Sequence, residues 1–223
     1  MSIQMCGRFA IAYTMGLFAR FGVKEQAPEV ESRYNIAPTQ SVPVIVGEGT
    51  RKAVIMRWGL VPFWAKDTKI GNRLINARAE TVSAKPAFRA SLKRRRCIVP
   101  TTGFYEWRRD GKVKTPFYVR MKDDSFFGLA GLYDHWKKPD GSTLLTFTII
   151  TTRPNAVLEK IHNRMPVILR PEQEDEWLSE GELSAKALTS LFRPYPSGPI
   201  AAHEVSRAVN SPANDSPELI LPA

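Results

Sequence analysis

Short apolar runs with a period of two, each closed off by glycine, proline, asparagine or aspartate, constrain this chain more than any other feature. They fall at 42–46, 52–58, 96–99, 103–107, 117–121, 126–132, 144–151, 166–169 and 202–205, and alternation over such lengths is the signature of half-buried strands. Asp110-Gly111 and Asp140-Gly141 stand between strand candidates as hairpin signals. Helical spacing is confined to shorter stretches at 13–21, 79–82, 86–92, 156–161, 171–178 and 184–191. Pro86 and Pro171 suit a first helical position, where a missing N–H costs nothing. The pattern predicts one α+β domain on an antiparallel, partly closed, barrel-like sheet flanked by short helices. No internal repeat or long linker divides it, and Pro194, Pro196, Pro199, Pro212 and Pro217 predict a loop-like C-terminal tail.

Composition narrows the partners. At 223 residues, with 43% hydrophobic and 24% charged side chains, the chain can bury one sizeable core. No apolar run approaches the ~20 residues that span a bilayer. The apolar stretch 9–18 is followed by Arg20 and Lys24 rather than by a small-residue cleavage site, so it does not read as a signal peptide. Two cysteines, Cys6 and Cys97, argue against a disulfide scaffold and for a reducing, cytoplasmic setting. A net charge of +10 favours a polyanionic partner, nucleic acid first; a basic, merely solvated surface is the bland alternative. The run Lys93-Arg94-Arg95-Arg96 reads first as a helix end complementing its dipole, while acidic residues gather between Glu172 and Glu182.

Chemistry concentrates at a few positions. Cys6 follows an internal methionine, Met5. A start at Met5 with methionine removal would leave Cys6 with a free α-amine beside its thiol, two nucleophiles with reference pKa values of ~7.7–8.0 and ~8.5. Such a 1,2-aminothiol condenses with an aldehyde to a Schiff base and closes to a thiazolidine. With residues 1–4 attached, the amine is lost and the thiol remains. His162, in a His-Asn-Arg patch between a helix and a strand, is placed as a rigid scaffold presents a loop group, although a lone loop histidine is more often a capped or surface residue. Glu106 lies among aromatics on a strand, either as an edge residue or as a partly buried acid with a raised pKa. Asn76 reads as the cap of a helix starting at Ala77 or Arg78, with Glu80 in its first turn; the same geometry would hold a phosphate or oxyanion. The aromatic and cationic stretches 33–38 and 57–64 can stack bases along a single strand. Trp58 reads as core and Trp64, beyond a proline, as the better base contact. No metal-binding or phosphate-loop motif stands out.

These segments occur in a fixed order: Cys-Gly-Arg-Phe, Arg-Tyr-Asn-Ile-Ala-Pro, Trp-Gly-Leu-Val-Pro, Asn-Ala-Arg-Ala-Glu, Gly-Phe-Tyr-Glu-Trp, Ile-His-Asn-Arg-Met-Pro and Val-Ser-Arg-Ala-Val-Asn. In this order they resemble the SRAP (SOS-response-associated peptidase) family from Met5 to about Leu221. The resemblance implies a compact α+β fold and covalent crosslinking to abasic sites in single-stranded DNA. By the same resemblance Cys6 forms the thiazolidine, Asn76 holds the amino terminus and sugar, Glu106 assists proton transfer, and His162 assists ring opening and reversal. Arg8, Asn35, Pro38, Arg78 and Arg164 are expected along the DNA groove, with Trp64, Thr151, Ser206 and Arg207 beside them.

The expectation is therefore a DNA-damage protein that shields abasic sites through a covalent link. It needs no cofactor or metal, works as a cytoplasmic, nucleoid-associated monomer away from membranes, and has lyase cleavage of the strand as a side activity. Residues 1–4 are expected to be an extra leader, absent or removed by self-cleavage, ahead of one domain over 5–223. Two other classes compete: a cysteine hydrolase with Cys6 as nucleophile and His162 as base, and a non-catalytic single-strand binding module.

Overall fold

A computed structural model describes residues 6–24, 27–47 and 49–223. In chain order the strands and helices are β1 (Phe9–Ile11), α1 (Leu17–Arg20), β2 (Arg33–Ile36), β3 (Ser41–Val46), β4 (Lys52–Trp58), β5 (Asn76–Arg78), α2 (Pro86–Arg94), β6 (Arg96–Thr101), β7 (Gly103–Asp110), β8 (Val113–Met121), β9 (Phe127–Lys137), β10 (Thr143–Thr152), β11 (Met165–Pro166), β12 (Ile168–Leu169), α3 (Glu174–Leu178), α4 (Ala185–Leu191) and β13 (Ile200–Glu204).

Strands β10, β4, β3, β6 and β9 follow one another around a ring, which the β9–β10 hairpin closes into a barrel. Closure leaves no free edge within the ring. The barrel is mixed: β10 runs parallel to β4, with Phe147 opposite Trp58, and parallel to β5, with Ile150 opposite Ala77. A second, antiparallel sheet has the order β13-β8-β7-β1-β2. Both aspartate–glycine hairpins form, one joining β7 to β8 and the other β9 to β10. The predicted strand positions hold, and most strands run longer than the alternation alone suggested. Three of the short strands, β1, β2 and β5, lie outside the alternating runs, and their three or four residues are too few for a period to register.

Helical expectations fared less evenly. Gly16, at φ +78°, interrupts the segment 13–21 and leaves only α1. The segment 79–82 forms turns instead of a helix, because the amide of Ala79 is drawn to the carbonyl of Thr151 and β5 is thereby held against β10. The basic run at the end of α2 does serve its helix: Nη1 of Arg96 donates to the carbonyls of Leu92 and Lys93, two of the groups an α-helix leaves unpaired.

Alternation distributes side chains between two cores. Phe9, Ile11 and Phe104 join the main core with Trp58 and Phe147, where the rings of Phe9 and Trp58 meet at 5.1 Å. Ala10, Tyr105 and Tyr118 face the opposite side, under Val205, Val209 and Leu219 of the C-terminal segment. On β7, Glu106 therefore shares the face of Phe104 and points toward the barrel. The loop after β4 passes close to its own return: Gly59 has φ +113°, and a Cβ there would lie 2.7 Å from the carbonyl oxygen of Gly71.

Candidate active site

Strand pairing brings the amino-terminal segment to Glu106. Phe9 lies opposite Phe104, and the amide of Tyr105 donates to the carbonyl of Arg8. Continuing the antiparallel line brings Gly7 level with Glu106, and the backbone nitrogen of the neighbouring Cys6 donates to Oε1 at 2.7 Å. The chain at Cys6 adopts φ +38°, an uncommon value for a side-chain-bearing residue. From β5, Nδ2 of Asn76 reaches the Cys6 carbonyl at 3.4 Å. Two side chains far apart in sequence, Glu106 and Asn76, thus converge on the backbone of Cys6. The expectation of a helix capped by Asn76 fails, since Asn76 begins a strand; it is the β5–β10 pairing that aims its amide.

Burial sets the electrostatics of this point. Glu106 is 2% exposed, and desolvation pushes its carboxyl up to about 8, against the pull of the backbone N–H groups of Cys6 and Trp107. Of the two alternatives for Glu106, the buried acid is the one the fold forms. The Cys6 thiol is raised too, first by burial and then by Glu106, so it rests as a thiol.

His162 arrives by another route. Oδ1 of Asn155 accepts from the amides of Val157 and Leu158, starting a single helical turn. The amide of His162 closes it on the Leu158 carbonyl at 2.7 Å. The amide of Arg164 then donates to Nδ1 of the imidazole at 3.2 Å. A nitrogen that accepts cannot carry the proton, so the neutral ring bears it on Nε2. Burial lowers the His162 pKa and Arg109 and Arg164 add to the effect, which favours that neutral form. With Trp107, Arg109, Arg153 and Lys160, His162 lines a cavity of about 730 Å³.

The residues expected along a groove separate into two groups. Arg78, Ser206 and Arg207 are exposed, Pro38 is half-buried, and Trp64 is 50% exposed in a loop fixed by the bond from the Phe63 amide to Asp134. Asn35 and Thr151 are fully buried and so offer no surface to a ligand. Asn35 instead donates to the carbonyls of Val209, Ser211 and Asn214 and accepts from Nη1 of Arg8 at 2.6 Å. Arg8 is accordingly half-buried, its other contact being the Val209 carbonyl. Arg164 is engaged internally, by Glu80 and Thr151. Sequence reasoning missed Asp215, which accepts from the amides of Tyr34 and Asn35 and pairs with Arg33; nothing in its local sequence marks a partner about 180 residues away. It also missed Arg109, Arg153 and Lys160, whose common feature is a cavity and not a motif.

A barrel with an amino-terminal cysteine segment held by a buried glutamate and a strand-borne asparagine defines a particular class of protein. The model of the family SOS response associated peptidase (SRAP) matches residues 5–212, and the chain belongs to that family. Abasic site processing protein YoqW of Bacillus subtilis (strain 168) is 47% identical, over 97% of this chain and 99% of its own. Abasic site processing protein HMCES of Gallus gallus is 32% identical, over 98% of this chain and 78% of its own. A crystal structure of a protein from Bacteroides thetaiotaomicron superposes with a TM-score of 0.89 at 31% identity, covering 98% of this chain and all of that one.

Proposed function

We propose that this protein processes abasic sites in single-stranded DNA by forming a covalent thiazolidine through Cys6. The observation that carries the reading is the 2.7 Å contact between Glu106 and the Cys6 nitrogen. A buried carboxyl that titrates near neutrality stands where the α-amine would be once the preceding residues are gone. The names of the relatives point to the same electrophile, since an abasic deoxyribose opens to an aldehyde at C1′.

The steps follow from the groups in place. The amine of Cys6 adds to the aldehyde carbon, and Glu106 moves the proton from nitrogen toward the carbinolamine oxygen, which leaves as water. The thiol of Cys6 then adds to the imine carbon and gives its proton to the imine nitrogen, closing the five-membered ring. Aldehyde and aminothiol become thiazolidine and one water. Asn76 holds the Cys6 carbonyl and thereby the orientation of the amine. The protonated Nε2 of His162 is suited to donate to the sugar oxygen that departs from C1′ on ring opening. Elimination of the 3′ phosphate from the imine is the competing lyase path, which ring closure suppresses.

The resting thiol weighs against a cysteine hydrolase, whose nucleophile is activated as a thiolate. A single-strand DNA carrying one abasic site should yield an adduct that survives denaturation, with Cys6→Ala yielding none. Turnover of a peptide substrate, or a shift of DNA with no adduct, would overturn the reading. The chemistry requires that the chain begin at Cys6, so protein with residues 1–4 retained should bind DNA and form no thiazolidine; terminal mass spectrometry of the active species decides this.

A further inference from the structure

Arg164 spends its guanidinium inside the protein. Its Nη1 and Nη2 grip Oε1 and Oε2 of Glu80 at 2.5 and 2.9 Å, and Nη2 also donates to the Thr151 carbonyl at 2.6 Å. That same carbonyl accepts the amide of Ala79, so one oxygen of β10 ties together the turn after β5 and the loop before β11. Arg164 is only 11% exposed in its side chain, and a two-pronged arginine–carboxylate pair fixes direction as well as distance. The Arg164 backbone in turn holds Nδ1 of His162. Asn76 lies at the other end of this unit, four residues before Glu80.

From this geometry we infer that Glu80 is a positioning residue: through Arg164 it locks the His162 loop onto the strand that carries Asn76. The inference rests on the proposed abasic-site chemistry for its rate effect. Bent away from Arg164, the loop would release the amide that sets the imidazole tautomer, and the ring would lose its fixed Nε2–H. A salt bridge between exposed groups would be worth little. This pair differs in that its arginine is covered and its second partner is a buried strand carbonyl.

The test is Glu80→Ala, with Glu80→Gln as the conservative variant that keeps an acceptor at the same reach. At saturating abasic DNA the adduct-forming rate should fall about tenfold to a hundredfold in Glu80→Ala, the scale of a misplacement near 1 Å. Glu80→Gln should recover most of that loss. Affinity for undamaged single-stranded DNA should stay within about twofold, because removing a carboxylate adds no phosphate contact. Nitrogen NMR of the imidazole should show the Nε2–H tautomer in the unaltered protein and a mixture of tautomers in Glu80→Ala. Tighter binding of undamaged DNA at an unchanged rate would overturn the inference, making Glu80 a counter-ion that phosphate displaces. An unchanged tautomer would overturn it as well. If the unaltered protein forms no adduct at all, the proposed function fails, while the NMR comparison still decides the clamp.

Discussion

Glu106 shows how one residue can be read from its neighbours and still be misjudged in degree. Aromatics on either side suggested partial burial; the sheet covers it completely and raises its carboxyl to about 8 from an ordinary 4.5. A carboxyl whose folded pKa lies above its unfolded value stabilises the fold below the unfolded pKa, and that contribution is lost as pH rises through the folded one. For Glu106 the window runs from about 4.5 to about 8, at no more than roughly 1.4 kcal/mol per unit. Unaltered protein should thus lose thermal stability relative to Glu106→Gln as pH is raised, with a Tm gap of about 5 °C or more opening between pH 5 and pH 9. Thermal melts at the two pH values check it, and a gap independent of pH would refute it. Freeing the α-amine of Cys6 should narrow the gap, because an ammonium group beside the carboxylate offsets its desolvation.

Among the elements, the C-terminal segment shows where the sequence stops being legible. Five prolines marked it as a loop-like tail, and residues 206–215 do lack strands and α-helices. Its role depends on partners near the other end of the chain, and no local pattern encodes those. The family resemblance puts Asn35 along the DNA groove; the fold turns it inward to hold three carbonyls of the tail. Asn76 likewise looked like a helix cap, since a polar residue before Ala-Arg-Ala-Glu reads that way locally, and only the distant pairing with β10 makes it a strand. By contrast Trp58, Pro86 and both aspartate–glycine turns were legible because hydrophobic burial, a fixed φ and a tight turn act within a few residues. Replacing Asn35 by alanine leaves buried carbonyls and Arg8 without their partner, which should cost about 3 kcal/mol. For a chain of this size that corresponds to a Tm loss of roughly 10 °C. A calorimetric shift under about 3 °C would mean water or Arg8 replaces the amide without loss.

The molecule as a whole carries +10, and that excess is unevenly spread. Glu172, Asp175, Glu176, Glu180 and Glu182 are exposed around α3, where Arg51 meets Asp175 and Lys93 meets Glu182. Arg109, Arg153 and Lys160 are exposed at the rim of the cavity that His162 lines. A single strand threaded past His162 would meet these cations, and each phosphate they neutralise should release counter-ions with a slope near −0.7 in log K against log salt. Three such contacts predict a slope of about −2 for undamaged single-stranded DNA. Arg153→Glu should weaken binding at low salt and flatten the slope by at least about 0.7, whereas Lys186→Glu, on exposed α4, should leave the slope unaltered. Binding isotherms between 50 and 300 mM salt (about a sixfold range) resolve a change of that size. If Arg153→Glu and Lys186→Glu changed the slope equally, the protein's overall charge would be what attracts DNA, and the cavity rim would have no special part in guiding the strand to Cys6.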